Sequence, residues 1–280
     1  MLHVPPAKVA LSTTSVYPET TSAAFELAGR LGYDGIELMV GVDGLSTDID
    51  AVERLRDVTG MPVLAIHAPC LLVSQLVWGN DNWAKLERSA AAARRLGAGV
   101  VVVHPPFRWQ REYARDFVPR LKELSERSGV TFALENMYPW RVGGSELKAY
   151  LPDWDPTEVD YPDLTLDLSH AATAGASALE LATVWGDRLR HLHLTDGSGS
   201  FKDEHLLPGR GNQQADRVLN LLAERDFAGI VVLELNLRNA QTRAKLESEL
   251  VEALAFTREH LRAPVRIAYE VGSDGVATAV

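Results

Sequence analysis

The sequence predicts an α/β protein whose 280 residues form a single (β/α)8 barrel. Eight short runs rich in Val, Ile and Leu alternate with longer segments whose apolar residues recur at helical spacing. The strands are almost continuously apolar, which is typical of a parallel sheet covered by helices. The count of eight favours a closed barrel over an open doubly wound sheet. No GxGxxG motif follows the first strand, which argues against a dinucleotide-binding sheet.

Each predicted strand is a short apolar run followed by a helical pattern such as Trp83–Leu96, and the last helix covers residues 240–261. The first four strands are Lys8–Ser12, Gly35–Met39, Pro62–His67 and Gly99–His104. The last four are Thr131–Glu135, Leu164–Leu168, Leu189–Leu194 and Gly229–Asn236. We find no internal repeat and no linker, so we expect one barrel domain over residues 1–262 and a C-terminal tail over residues 263–280.

Two connections are longer than the others, Met137–Asp163 after the fifth strand and Thr195–Asn212 after the seventh. Long loops in compact domains are usually functional or disordered. The first one contains the segment WRVGG, which begins at Trp140 and is a candidate lid over a substrate.

Composition narrows the possible partners and compartments. A formal net charge of −10 argues against a nucleic-acid partner, because binding to phosphate backbones depends on Lys and Arg. Cys70 is the only cysteine, which excludes an intrachain disulfide and fits a reducing cytoplasm. The apolar runs are too short to span a bilayer, and the N-terminal MLHVPPAK has no signal-peptide pattern. We therefore expect a cytoplasmic protein without a membrane partner, as a monomer or small homo-oligomer.

Ionisable residues interrupt the apolar runs near the C-terminal ends of strands three to eight, on the barrel face where active sites are built. They are His67, His104, Glu135, Asp167 with His170 just beyond it, His193 and Glu234. Asp203 and His205 leave the same face in the loop after strand seven. Each alone is explained by a hydrogen-bonded histidine or a helix-capping carboxylate. Several buried carboxylates at one place are costly unless cations neutralise them, so together they predict a metal site.

Two further residues near these strand ends have other expected roles. His191 lies two residues before His193, so it faces the same side one layer deeper. We expect it to be a buried, hydrogen-bonded histidine. Cys70 follows His67 at a strand exit and is expected to be a small buried residue.

These motifs, in this order, resemble the xylose-isomerase-like TIM barrel superfamily, which contains endonuclease IV and the sugar phosphate isomerases and epimerases. The resemblance covers about residues 8–260. Its early motifs are HAP at His67, VHP at His104, LEN at Glu135 and DLSH from Asp167 to His170. Its later motifs are HLTD from His193, DEH from Asp203 to His205, PGRG from Pro208 to Gly211, and LEL around Glu234.

The resemblance implies a specific metal arrangement. Epimerase-like members hold one metal with the counterparts of four residues, namely Glu135, Asp167, His193 and Glu234. Endonuclease-like members add one metal bound by the counterparts of His67 and His104 with Glu135 bridging, and another bound by those of His170, Asp203 and His205. All nine positions are filled here, which predicts up to three metals. Mixed imidazole and carboxylate ligands suit Zn²⁺, with Mn²⁺ or Fe²⁺ as alternatives.

The first hypothesis for function is hydrolysis of a small sugar-phosphate or other phosphoester by water activated at a trinuclear site. It is favoured because the outer ligands have a clear purpose only in this mechanism. Arg108, Lys202 and Arg210 are the candidate phosphate contacts. DNA repair is disfavoured, because the loop APCLL after His67 has no aromatic wedge and the charge is acidic.

The second hypothesis is isomerisation or epimerisation of a sugar or sugar phosphate. Glu135 and Glu234 would then form an acid/base pair around one metal. Trp109, Tyr138 and Trp140 are candidate stacking partners for the sugar. A third hypothesis, a non-catalytic barrel with a structural metal, is disfavoured because structural sites are usually closed and four-coordinate.

Overall fold

The computed structural model describes residues 2–70, 74–142, 145–264, 269–271 and 277–279. Eight parallel strands close into a barrel in the order β7-β8-β1-β2-β3-β4-β5-β6, which confirms the predicted fold. The first four strands are β1 (Lys8–Ser12), β2 (Gly35–Met39), β3 (Val63–His67) and β4 (Val100–Val103). The last four are β5 (Thr131–Glu135), β6 (Leu164–Asp167), β7 (Leu189–Leu194) and β8 (Ile230–Leu233).

Helices surround the barrel, and their apolar faces pack against the strands in one continuous core. Five of them precede residue 116: α1 (Thr21–Leu31), α2 (Gly44–Thr47), α3 (Ile49–Thr59), α4 (Asn82–Leu96) and α5 (Arg111–Arg115). The others are α6 (Phe117–Ser128), α7 (Leu168–Ala174), α8 (Ala178–Trp185), α9 (Ala215–Glu224) and α10 (Arg243–His260). Within the described ranges, no helix combines the length and apolarity needed to cross a membrane.

The barrel interior changes from apolar to polar towards the C-terminal mouth. Small apolar side chains, including Ala65, Val102 and Ala133, fill one layer. Other positions of the barrel strands carry fully buried polar side chains, including Ser12, Glu37, Thr165, His191, Asp167 and His193. The parallel register pairs His193 of β7 with Asp167 of β6. The strands therefore deliver polar groups to the mouth at matched heights.

The strand boundaries differ slightly from the sequence prediction. β4 ends at Val103 and β8 at Leu233, so His104 and Glu234 lie one residue beyond their strands. In β4 and β8 the sequence pattern continues beyond the last interstrand hydrogen bond, so a prediction from the pattern makes these strands too long.

The two segments outside the barrel contain short antiparallel pairs. In the long loop after β5, Trp140–Val142 pairs with Ser145–Leu147, and the glycines of the WRVGG segment lie outside the described residues. In the expected tail, Ala263–Pro264 pairs with Leu2–His3, and Tyr269–Val271 pairs with Ala277–Ala279. The domain boundary at residue 262 stays a prediction.

Candidate metal centre

The structure brings all nine predicted ligands together at the C-terminal mouth of the barrel. The first group joins β3, β4 and β5. Nε2 of His67 and Nε2 of His104 lie 3.3 Å and 3.0 Å from Oε2 of Glu135. Nδ1 of His67 is 3.0 Å from the carbonyl oxygen of Ala68, which as acceptor leaves Nε2 free to ligate. The two imidazoles and the carboxylate are close enough together to bind one divalent ion.

The second group surrounds Nδ1 of His193 at the centre of the mouth. This nitrogen lies 3.2 Å from Oε1 of Glu135 and 3.1 Å from Oε2 of Glu234. Oδ2 of Asp167 is 3.5 Å away. One nitrogen therefore faces three carboxylates that come from β5, β6 and the end of β8.

The third group includes the loop after β7. Nε2 of His205 and Nε2 of His170 lie 3.0 Å and 3.3 Å from Oδ2 of Asp203. Nδ1 of His205 is 2.9 Å from the carbonyl oxygen of Glu234, and Nδ1 of His170 is 2.8 Å from that of Asn136. Backbone carbonyls thus accept from Nδ1 of both rings and hold Nε2 of each ring towards Asp203.

Asp167 serves the helix and the site at once. Its Oδ1 accepts a hydrogen bond of 2.8 Å from the backbone N–H of His170, which caps α7. Its Oδ2 is fully buried, and no hydrogen-bond donor serves it among the described residues. A buried carboxylate oxygen without a donor is costly unless a cation neutralises it. The observation fits a bound metal, and helix capping alone does not explain it.

The electrostatics of the protein side chains also suit a cation. Burial raises the pKa of Glu135, but the imidazoles of His193 and His104 outweigh it and hold the pKa well below its usual range. Burial raises the pKa of Glu234, and the neighbouring His193 and His205 oppose this only in part. The pKa of His193 is raised well above its usual value, because nearby carboxylates outweigh its burial. Burial lowers the pKa of His104 despite the neighbouring Glu135, so positive charge is favoured at His193 and disfavoured at His104.

Glu37 is the site residue that the sequence analysis missed. It is fully buried in β2, and its carboxylate lies 3.0 Å (Oε1) and 3.3 Å (Oε2) from Nε2 of His193. The fully buried His191 places its Nε2 3.0 Å from Oε2 of the same carboxylate. His193 therefore uses Nε2 for Glu37 and keeps Nδ1 for the site. In the sequence, the feature that could have identified Glu37 is that it is the single acidic residue inside the apolar strand GIELM.

The predicted aromatic contacts fall into two groups. The ring of Tyr138 is centred 5.1 Å from that of His170, and burial raises its pKa to about 12. Trp109 is exposed and stacks on Phe107 with the ring centres 4.6 Å apart. Trp140 lies 5.8 Å from Trp109, and both rings contact Phe107, whereas Tyr138 contacts the third ligand group through His170.

The predicted phosphate contacts are spread more widely. Arg108 and Lys202 are exposed in the loops after β4 and β7. Arg210 points elsewhere, because its guanidinium binds both carboxylate oxygens of Glu252 on α10 at 2.8 Å. The structure therefore does not bring Arg210 together with the ligand groups.

Asp196 of the HLTD motif organises the loop that carries Asp203 and His205. Its buried carboxylate accepts backbone N–H groups from Gly197, Gly209 and Gln213 at 2.9–3.0 Å. At Gly211 a Cβ atom would collide with Asp196 and with the backbone of Gly197. The PGRG glycine thus permits close packing within the loop.

The comparisons with known proteins agree with this geometry. A model of the xylose isomerase-like TIM barrel family matches residues 25–260. An uncharacterised protein of Mycobacterium tuberculosis (strain ATCC 25618 / H37Rv) is 48% identical over 276 residues, covering 92% of this chain and 99% of that protein. Fructoselysine 3-epimerase of Escherichia coli O157:H7 is 22% identical over 238 residues, covering 76% and 84%.

Two solved structures share the fold. A D-tagatose 3-epimerase-like protein superposes with a TM-score of 0.65 at 24% identity, covering 90% of this chain and 98% of that one. Endonuclease IV from Thermus thermophilus superposes with a TM-score of 0.56 at 20% identity, covering 90% and 99%. The related proteins with a named activity are enzymes. Because the family model matches most of its length, the chain belongs to the xylose isomerase-like TIM barrel family.

Proposed function

We propose that this protein is a divalent-metal-dependent isomerase or epimerase of a small sugar or sugar phosphate. The observation that carries the proposal is the convergence of Glu135 and Glu234 on Nδ1 of His193, with Asp167 beside them. These four residues correspond to the single-metal set of the epimerase-like members, and three of them are carboxylates that reach the same point from different strands. The named epimerase relative supports this reading over the hydrolytic one.

The two glutamates act on opposite faces of the substrate. One carboxylate removes the proton from the carbon beside the substrate carbonyl, and the other returns a proton on the other face or at the neighbouring carbon. A divalent ion held by Glu135, Asp167, His193 and Glu234 would polarise the carbonyl and stabilise the negative charge that develops. Zn²⁺, Mn²⁺ and Fe²⁺ all fit this mixed imidazole and carboxylate donor set.

The chain itself positions the substrate and excludes water. Tyr138, which contacts His170, stacks against the sugar ring or chain, and the adjoining pair Trp109 and Trp140 provides further aromatic surface for it. His170, with Nδ1 held by the carbonyl of Asn136, presents Nε2 towards the same space.

Phosphoester hydrolysis is the second candidate, and the gathering of the outer ligands favours it. His67 and His104 face Glu135, and His205 faces Asp203, at distances of 3.0–3.3 Å. A single-metal epimerase does not need these residues as ligands. Clustered cations would bind phosphate oxygens and promote attack by water.

One pair of variants separates the two functions. Ketoses and ketose phosphates are incubated with the metal-loaded enzyme in D2O, and loss of the carbon-bound proton signal is followed by NMR. We expect Glu234→Gln to reduce exchange about 10²–10⁴-fold, as loss of a general acid or base does. We expect His104→Ala to retain exchange.

Phosphate release and metal content complete the test. If His104→Ala abolishes phosphate release from phosphoesters and no wild-type substrate exchanges its proton, the isomerase proposal is wrong. Elemental analysis supplies an independent criterion. About one metal per chain agrees with the proposal, whereas three zinc ions that are all required for turnover favour hydrolysis.

A further inference from the structure

A cleft of about 250 Å³ opens beside the candidate metal centre, between the loops that follow β1 and β8. Three of the candidate metal ligands, Asp203, His205 and Glu234, line it, together with Thr14, Leu235, Asn236, Leu237 and Arg238. The metal centre and Arg238 therefore share one continuous space. Sequence patterns gave no role to Arg238, and the catalytic roles proposed above do not use it.

The segment that carries Arg238 is anchored to its surroundings. The hydroxyl of Ser15 donates to the carbonyl of Leu233 at 3.0 Å and accepts from the N–H of Leu235 at 2.8 Å. The N–H of Asn236 donates to the carbonyl of His205 at 2.9 Å. The loop after β8 is thus tied to the loops after β1 and β7, and the protein's own hydrogen bonds hold the wall of the cleft in place.

The guanidinium of Arg238 is oriented by an aromatic ring. Its Cζ lies 4.7 Å from the centre of the Tyr17 ring. No carboxylate lies within ion-pair distance of it among the residues that the structure describes, whereas Arg210 binds Glu252. Stacking holds the guanidinium plane in place while its N–H donors stay available to a ligand.

The neighbouring groups favour an anionic ligand. Thr14 and Asn236 add a hydroxyl and an amide to the same wall. An arginine fork pairs with the oxygens of phosphate or carboxylate through two parallel hydrogen bonds. In many (β/α)8 barrels, the loops after the last two strands bind phosphate. Arg238 occupies the corresponding rim, opposite the loop of Arg108.

We propose that the substrate is anionic at one end, and that Arg238, with Thr14 and Asn236, binds its terminal phosphate or carboxylate. The inference rests on the proposed function, since it places the reacting carbons at Glu234 and the anion at Arg238. It also fixes the direction of the substrate, with its charged end towards the loops after β1 and β8.

Equilibrium binding to the metal-loaded full-length protein tests the proposal without turnover. The probes are ribulose 5-phosphate, gluconate and uncharged fructose, with affinities measured by calorimetry. We expect Arg238→Gln to weaken the tighter of the two anionic probes about 10- to 100-fold, as loss of a charge-assisted hydrogen bond does. We expect binding of fructose to change less than twofold. Which anion binds more tightly identifies phosphate or carboxylate as the recognised group.

Arg88→Gln is the matched control, because Arg88 is also exposed and stacks at 4.7 Å, on Trp78 of another face. It should leave all affinities unchanged, and Arg238→Lys should recover part of the anion binding. The proposal is overturned if wild-type protein binds neither anion more tightly than fructose. It is also overturned if Arg238→Gln weakens all three probes equally, or if Arg108→Gln causes the larger loss. The proton-exchange measurement with Glu234→Gln tests the proposed isomerase activity, and the binding measurement with Arg238→Gln tests the anion site. Either result can be negative while the other is positive, so the two proposals are distinguishable.

Discussion

Replacing Glu37 with glutamine should weaken metal binding at the centre of the mouth without touching any residue that faces the ion. The carboxylate of Glu37 lies 3.0 Å and 3.3 Å from Nε2 of His193, and it also approaches His191 at 3.0 Å. It therefore fixes the ring of His193 and increases the basicity of Nδ1. Because Glu37 is fully buried, no solvent compensates for the lost charge.

The size of the effect follows from these contacts. Loss of an outer-shell partner of a ligating histidine lowers metal affinity by about 10- to 100-fold, or roughly 1.4–2.7 kcal/mol. Glu37→Gln keeps an oxygen that accepts from Nε2 and should give the lower value. Glu37→Leu removes the acceptor altogether and should give the higher one. Both variants should lower the metal affinity.

Competition with a chelator of known affinity measures the effect, and elemental analysis confirms which preparations carry metal. Glu247→Gln is the control, because Glu247 pairs with Arg30 on the outer surface. The thermal midpoint of the metal-free protein separates misfolding from weak binding. A change of less than threefold in zinc affinity for both Glu37 variants, with Glu135→Gln reducing it strongly, would refute this role for Glu37.

Two further predictions concern the loops around the mouth. Gly211→Ala should lower the free energy of unfolding by about 1–3 kcal/mol, because the added Cβ collides with Asp196. Gly44→Ala, where the Cβ meets no atom within 4 Å, is its control in denaturant titrations, and equal effects would contradict the explanation. Burial raises the pKa of the Cys70 thiol to about 11 from its ordinary 9, so it stays protonated at pH 8. Alkylation at pH 8 should therefore be about 100-fold slower than for a free thiol and should accelerate up to about pH 11, and a fast reaction at pH 8 would rule this out.

The sequence predicted the barrel and the nine ligand candidates for one physical reason. Parallel strands are buried on both faces, so a charged residue near a strand end interrupts an apolar run visibly. His67, Glu135 and His193 stand out in this way, and each lies at or next to the C-terminal end of its strand, where the parallel strands meet at one mouth of the barrel. For these residues, the position in the sequence pattern is therefore enough to predict the position in the barrel.

Other residues could not be placed because their contacts cross the barrel or depend on loop geometry. Glu37 lies inside β2, and its partner His193 is 156 residues away. Arg210 was a candidate phosphate contact, yet the loop directs it to Glu252 on α10. Arg238 carries no motif, and its importance follows only from the cleft and from Tyr17. Side-chain direction in loops is set by tertiary packing, which spacing along the chain does not encode.

The carboxylate of Glu135 is shared, and this has a thermodynamic consequence. Its Oε2 faces His67 and His104, while its Oε1 faces His193 and His170. Two cations placed on either side would draw on the same negative charge, so the affinity of each depends on whether the other is present. By linkage, this dependence is equal in both directions. If a second ion is loaded onto the His67 and His104 group, the titration should therefore deviate from independent sites, and replacing Glu135 should remove the coupling.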